Sequence, residues 1–488
     1  MSEFDPDMVE FELDASERMS EQEALMWNVE KDPWLNPSGG ALTITDRPPD
    51  ADLLRRIMRH AVSGIPRMYQ RVVPGLARIS TPAWIPDPEF DFDHHFRVVH
   101  LPRPGTERQM LDLAAQLYTE PLDRTRPLWR MVVIEGLASG QGATWTLIHH
   151  SIADGIGQLR MAELFQQLSR DEEPPPEVDL EGVVAQAVAD HRAKEAGGDL
   201  ATSLATTAAH SIGHLVRRGV GTARRAVGEV AMWPADPKRA VDRATDLTNM
   251  VGGAAHMAAS SGAGVGAPLW RDRSRHRHLE YVAVPLDELK AASRAEGATI
   301  NEAFLAVIAD AAVRYHEERG ATFETLNASF VVSTRRDGKA GGNAFTPVPV
   351  QLPAEKMPLR KRLVEQRNVI AAAREAATRT GGISSLAGVV NLLPTSVVTR
   401  TARAQAAKLD IATSNLRGYP VPVYIAGGEV LRNVTMGPLA GTPCNATALS
   451  YGNEFTVGLF IDPVAIDDPA GFRRCVADAF ADLLSDGI

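Results

Sequence analysis

Ala143-Thr144-Trp145-Thr146-Leu147-Ile148-His149-His150-Ser151-Ile152-Ala153-Asp154-Gly155 is the stretch on which the reading of this chain turns. Up to Ile148 it is rich in β-branched and aromatic residues, the composition of a strand. Gly155-Ile156-Gly157 then leads into Gln158-Leu159-Arg160-Met161-Ala162-Glu163-Leu164-Phe165, whose apolar spacing is helical. The two histidines therefore sit where a strand ends and a helix begins. The chain's own His and Gly frequencies, with about one Asp in sixteen, make roughly 0.002 chance copies of His-His-x-x-x-Asp-Gly, so coincidence is a poor account of it.

A strand end suits a catalytic base, because the strand fixes the side chain while the following loop opens toward substrate. Imidazole, with an ordinary pKa of about 6.5, is largely free to accept a proton at neutral pH. Neighbouring strand side chains point to opposite faces, so His149 and His150 take different roles. His150, four residues before Asp154, is the general base; His149 packs or hydrogen-bonds behind it. Asp154 either orients the imidazole or braces the turn through an arginine elsewhere, and Gly155 completes the turn. The plainer alternative is two buried histidines and an Asp-Gly turn that finish a strand. A metal held by two His and a carboxylate is a second rival. Adjacent strand histidines diverge, and His94, His95 and His100 form no further cluster with ligand spacing, so no metal is expected. His94-His95 lacks the Asp-Gly and lies in Phe90–Val98, which reads as a strand.

The remainder of the chain bounds the function. Its 488 residues exceed one core, so two domains are expected, and 44% hydrophobic with 23% charged residues is a globular composition. A net charge of -10 argues against nucleic acid as a partner. Residues 1–23 carry nine acidic side chains against one basic, which argues against a signal-peptide start and makes 1–19 an acidic extension, either disordered or loosely docked. Cys444 and Cys475 show no paired or Cys-x-x-Cys spacing and read as reduced thiols of a cytoplasmic protein. Ser151 lacks the G-x-S-x-G context of a serine hydrolase.

No segment reads as a membrane span. Leu247–Trp270 is uncharged but dominated by Gly, Ala and Ser, a flexible connection. Thr380–Thr399 is a core helix, a tunnel wall or a surface that leans on a bilayer. Residues 211–240 hold six bases against two acids, a face that is either solvated or drawn to anionic membrane or phosphates. The domains run 20–185, a helical and flexible connection 186–275, and 276–488. In the first, Asp52–Ser63 is an amphipathic helix, and Pro127–Leu137 and Gly142–His150 pair antiparallel about Ala138-Ser139-Gly140-Gln141. The second opens with strand His278–Val284, contains helices Asn301–Arg319 and Leu359–Ala377, and has strands near Phe330, Tyr424 and Thr456. This alternation without G-x-G-x-x-G points to two α/β sandwich-like halves rather than a dinucleotide-binding fold.

With these elements placed, His149-His150-Ser151-Ile152-Ala153-Asp154-Gly155 resembles the HHxxxDG signature of CoA-dependent acyltransferases. Its context is similar to the bacterial wax ester synthase/diacylglycerol acyltransferase family, from about Ser20 to Ile488. Pro127-Leu128-Trp129 resembles that family's Pro-Leu-Trp element, and Phe90–Gly105 its strand and turn. Thr299-Ile300-Asn301-Glu302 resembles its Asn-Asp element, Gly342-Asn343 its Gly-Asn turn, and Ser414-Asn415-Leu416-Arg417-Gly418-Tyr419-Pro420 its Ser-Asn element, continued through Pro422–Gly428. Glu302 stands where the family usually has Asp, and Leu416, Arg417 and Tyr419 replace small residues and proline.

The resemblance implies two chloramphenicol-acetyltransferase-like domains with mixed sheets and an active-site channel at their interface. It implies that His150 takes the proton of a lipid alcohol as the oxygen attacks an acyl-CoA thioester, giving triacylglycerol or wax ester. Acyl-CoA is then a co-substrate, with no further cofactor. Asn301, Ser414 and Asn415 either stabilise the developing oxyanion or cap helices and turns. The partners are acyl-CoA and the lipid alcohol, with peripheral contact to the inner membrane or a lipid inclusion. The alternatives are another alcohol or a carrier-bound acceptor, and a non-catalytic lipid- or CoA-binding paralogue.

Overall fold

The computed structural model describes residues 17–75, 81–197, 266–333, 345–380, 391 and 394–485. The acidic head through residue 16, the basic stretch 211–240, residues 247–265 and the Gly342-Asn343 turn lie outside the described residues, as do 381–390 and 392–393.

Fourteen strands are described: β1 (Ser38–Thr45), β2 (Gln70–Val73), β3 (Ala83–Pro86), β4 (Phe96–His100), β5 (Trp129–Glu135), β6 (Gly142–His149), β7 (His278–Pro285), β8 (Thr325–Ser333), β9 (Phe345–Pro353), β10 (Ile411–Arg417), β11 (Tyr424–Ile425), β12 (Gly428–Met436), β13 (Cys444–Tyr451) and β14 (Glu454–Ile461). They build two six-stranded sheets and a small ribbon of β2 and β3. The first sheet runs β11-β12-β1-β6-β5-β4 and the second β7-β14-β13-β10-β8-β9. Each mixes directions: β4 lies parallel to β5, and β10 parallel to both β8 and β13, with the other neighbours antiparallel.

Local pattern explains most elements. Met131, Val132, Val133 and Ile134 of β5 are all buried, as expected of a central strand covered on both faces. Each such side chain contributes about 1.5–3 kcal/mol when taken from water. The expected hairpin forms with Trp129 opposite Ile148 and Ile134 opposite Ala143. Asp50 caps the helix Ala51–Gly64, whose Leu54, Ile57 and Met58 are buried. Helix Ile300–Glu317 lies across the second sheet and buries its residues from Ala303 to Val313.

Two local readings are corrected. Phe90–Val98 is not one strand: Asp91 accepts the backbone N–H of Asp93 and caps a single helical turn, Phe92–His95, before β4 begins at Phe96. A short polar cap here overrides a strand-like composition. The helix in the second half is capped by Thr299, not Asn301; Thr299 and Glu302 form a reciprocal capping box. The extra methylene of Glu302, relative to aspartate, lets its carboxylate reach back to the Thr299 N–H at 2.7 Å.

The halves are interlaced. β11 and β12 come from the C-terminal part of the chain yet belong to the first sheet, where Met436 pairs with Gly40 and Asn433 with Thr43. Val423, Ile425, Val430, Val434 and Met436 accordingly lie in the first core. From this strand the Thr435 hydroxyl donates 2.8 Å to the Thr447 carbonyl of the second sheet. Arg108 also bridges the halves, donating to Glu280 Oε1 (2.8 Å) and the Leu279 carbonyl (2.9 Å). Helix Thr395–Ala406 packs Val398 against Leu25 and Val29 of the N-terminal helix Glu21–Val29. Among the described residues no helix is long and apolar enough to cross a membrane.

Candidate active site

β6 ends at His149, and its neighbours fix that end. The His149 N–H donates to the Leu128 carbonyl at 3.0 Å, and the His150 N–H to the Pro37 carbonyl at 3.2 Å. Leu128 lies in Pro127-Leu128-Trp129, so this element clamps the histidine turn. Its Trp129 indole is held by the Met68 carbonyl at 2.7 Å. The Ile152 N–H then closes the turn on the His149 carbonyl at 2.9 Å.

The two rings diverge as strand geometry requires. His149 is fully buried. Its Nδ1 accepts the Ser151 N–H (2.9 Å) and lies 2.6 Å from the Ser151 hydroxyl, so the ring proton is on Nε2. Nε2 sits 3.3 Å from a Glu30 carboxylate oxygen, in ion-pair range although the N–H is not squarely aimed at it. The same Glu30 oxygen also accepts from Arg124 at 2.5 Å, whose guanidinium stacks 3.4 Å over the Trp27 ring. Burial opposes the Glu30 charge, but His149 and Arg124 outweigh it and hold the carboxyl below its ordinary range.

His150 retains some accessibility. Burial, with a smaller push from His149, brings its pKa down to about 4 against the opposing charge of Asp154, so the ring is neutral at physiological pH. It lies against β1 where no side chain intervenes: a Cβ on Gly39 would be 3.3 Å from His150 Nε2 and 3.0 Å from the Gln158 amide oxygen. Asp154 caps helix Gly155–Glu163, its Oδ1 accepting the Gly157 N–H at 2.9 Å, a role in addition to the two left open by spacing.

The second half supplies the opposite wall. A Cβ on Gly155 would meet Leu416 Cδ2 at 3.0 Å, so β10 reaches the start of this helix, bringing half-buried Ser414 and exposed Asn415 with it. Tyr419 ties the same segment down, its hydroxyl donating to the Leu159 carbonyl at 2.7 Å. Asn301 stands apart, in the first turn of helix Ile300–Glu317. Cys444 and Cys475 are buried thiols, and burial pushes Cys475 up to about 12. Among the described residues no group of three or more His, Cys, Asp or Glu is arranged to hold a metal ion.

Glu30, Arg124, Gln158 and Gly39 were not singled out by sequence. Glu30 did carry one local signal: it is an acid at the C-cap of helix Glu21–Val29, where the helix dipole disfavours negative charge.

Among solved structures the fold is similar to the wax ester synthase/diacylglycerol acyltransferase from Marinobacter aquaeolei VT8, with a TM-score of 0.60 at 19% identity over 96% of this chain and 99% of that one. The first condensation domain of the calcium-dependent antibiotic synthetase gives 0.57 at 16% identity over 95% and 96%. Two interlaced mixed sheets of this kind define the class of chloramphenicol-acetyltransferase-like two-domain proteins. Residues 19–304 match the wax ester synthase/diacylglycerol acyltransferase catalytic domain and 341–484 its C-terminal domain. The chain belongs to the wax ester synthase/diacylglycerol acyltransferase family and is an O-acyltransferase of that type. A putative diacylglycerol O-acyltransferase of Mycobacterium tuberculosis is 29% identical over 96% of this chain and 92% of its own. A probable diacylglycerol O-acyltransferase of the same species is 28% identical over 91% of each chain.

Proposed function

We propose that the protein transfers an acyl group from acyl-CoA to a lipid alcohol, diacylglycerol or a long-chain alcohol, with His150 as general base. The observation that carries the reading is the neutral imidazole of half-buried His150, between β1 and the helix that meets Leu416 of the other sheet. The alcohol oxygen attacks the thioester carbonyl carbon while its proton passes to the imidazole. The tetrahedral adduct collapses to the ester and expels CoA thiolate, which takes the proton back. General-base help of this kind provides about 10²–10⁴ in rate, and positioning of the two substrates much of the rest. Ser414, on the same face of β10 as Leu416, is the proposed donor to a developing oxyanion, with Asn415 on the opposite face and Asn301 as alternative donors. Acyl-CoA is the co-substrate, and no further cofactor is invoked.

An acceptor of this kind resides in lipid, so the same reading brings a cytoplasmic enzyme to the surface of a membrane or lipid inclusion during turnover. Co-flotation with diacylglycerol-containing vesicles tests that part.

Release of CoA thiol from palmitoyl-CoA, measured with diacylglycerol, hexadecanol or no acceptor, tests the reaction. Acceptor-dependent release together with recovery of the ester is expected. Release only with a carrier-bound or non-lipid acceptor overturns the substrate assignment, and saturable acyl-CoA binding without turnover on any acceptor moves the protein to the non-catalytic alternative.

A further inference from the structure

We infer that Glu30 is a positioning residue of the acyl-transfer site, acting through His149 on the turn that aims His150; this rests on the general-base role proposed above. Glu30 lies far from the histidines in sequence, yet its carboxylate, only 8% exposed, stands 3.3 Å from His149 Nε2. Its place at a helix C-cap is unfavourable in itself, because the helix dipole presents its negative end there. Arg124 compensates, binding the carboxylate while its other nitrogen donates 2.9 Å to the Trp27 carbonyl at the end of the same helix.

What the carboxylate does follows from the other side of the His149 ring. Nδ1 must be unprotonated, since it accepts the Ser151 backbone N–H at 2.9 Å with the Ser151 hydroxyl beside it at 2.6 Å. A carboxylate facing Nε2 favours the proton on that nitrogen and so keeps Nδ1 available. With the proton on Nδ1 instead, two N–H groups would oppose each other at the Ser151 contact, and the turn would have to reopen. The same turn carries His150, anchored to the Pro37 carbonyl, so a shift there moves the imidazole relative to the acceptor oxygen. Glu30, His149 and Ser151 also have the composition of an acid-histidine-serine set. Ser151 is fully buried and donates its own backbone N–H to the ring, so its hydroxyl holds the imidazole and attacks nothing.

The test compares wild type with Glu30→Ala, Glu30→Gln and Glu30→Asp by kcat and KM for palmitoyl-CoA with diacylglycerol, and by nitrogen-15 correlation spectra of the histidine rings. Unfolding curves confirm that each compared variant is folded. A displacement of the base by a fraction of an ångström to about 1 Å is expected to lower kcat roughly tenfold to hundredfold in Glu30→Ala, with KM for both substrates little changed. Glu30→Gln keeps one oxygen for both Nε2–H and Arg124 but loses the charge, so a smaller loss is expected; Glu30→Asp should recover part of the rate. In the spectra His149 should be the Nε2–H form in wild type and lose that uniformity in Glu30→Ala. Unchanged kcat in a folded Glu30→Ala, or a His149 pattern indifferent to Glu30, overturns the inference. If Glu30→Ala does not fold, Glu30→Gln with wild-type rate and spectrum does the same. If wild type itself turns over no alcohol, the acyl-transfer reading fails while the spectra still decide whether Glu30 sets the His149 tautomer.

Discussion

His94-His95 and His149-His150 are adjacent histidine pairs beside strands of the same sheet, and in each pair one ring is locked by backbone. His95 donates Nδ1–H to the Trp129 carbonyl at 2.9 Å, whereas His149 uses Nδ1 to accept the Ser151 N–H. Burial brings His95 and His150 alike down to about 4. Basicity therefore does not separate the structural ring from the candidate base. Surroundings do: His95 is stacked between Phe90 and Trp129, with ring centroids 5.6 and 4.7 Å away, and is 1% exposed. His150 lies over a glycine, beside a helix start that meets the other sheet, and stays partly accessible. A depressed histidine pKa reports burial first, and a site is recognised by what the ring faces.

Exchanging the roles of the two pairs is the most direct way to break this contrast. His150→Ala should lower kcat by about 10²–10⁴ with little loss of stability. His95→Ala should do the reverse, costing about 3 kcal/mol of stability by leaving a cavity between two aromatic rings while the rate per folded molecule is kept. Denaturant unfolding and steady-state kinetics on both variants decide it. Undiminished turnover in a folded His150→Ala removes the base.

Acidification sharpens the comparison. The His95, His150 and His316 rings sit near 4 in the folded protein and, like any free histidine, near about 6.5 when unfolded. Between these values the unfolded chain binds the extra protons, so stability is full above about 6.5 and is lost as pH falls toward 4, by up to about 1.4 kcal/mol per pH unit for each ring. Replacing either His95 or His150 by Gln should flatten that slope by one proton. The rate tells them apart: in wild type and His95→Gln, kcat/KM should hold steady to about pH 5 and fall as pH passes through about 4. A kinetic limb near 6.5 instead would contradict the neutral state of the half-buried His150.

Gly39→Ala is the mildest probe. The added methyl meets the movable end of Gln158 and the edge of the His150 ring, so a rate reduction of roughly threefold is expected, with unchanged stability. A rate equal to wild type would mean that β1 leaves more room beside the ring than its glycine suggests.

Much of this was legible without coordinates. The strand into His149, the helix from Gly155, the hairpin of β5 and β6 and the amphipathic helix after Asp50 follow from period and capping, which act over a few residues. The places where local reading failed were also local contests. At Asp91 a side-chain cap won over β-branched and aromatic neighbours, and at Thr299 a capping box displaced Asn301 from the cap. Asp154 caps the helix start, a role outside the two that spacing had left open for it, orienting the imidazole or bracing the turn.

By itself, then, the sequence determined the motif, the identity of the candidate base and the alternation of elements on either side, because hydrophobic period, caps and turn residues are written over short spans. Tertiary structure decided the rest. The Thr43 hydroxyl meets the Asn433 side chain across 390 residues, and no local signal marks β12 as a strand of the first sheet. The same holds for Glu30 behind His149 and Leu416 over Gly155. Such contacts form only when two distant segments bury apolar surface together, and which segments meet is set by the packing of the whole core.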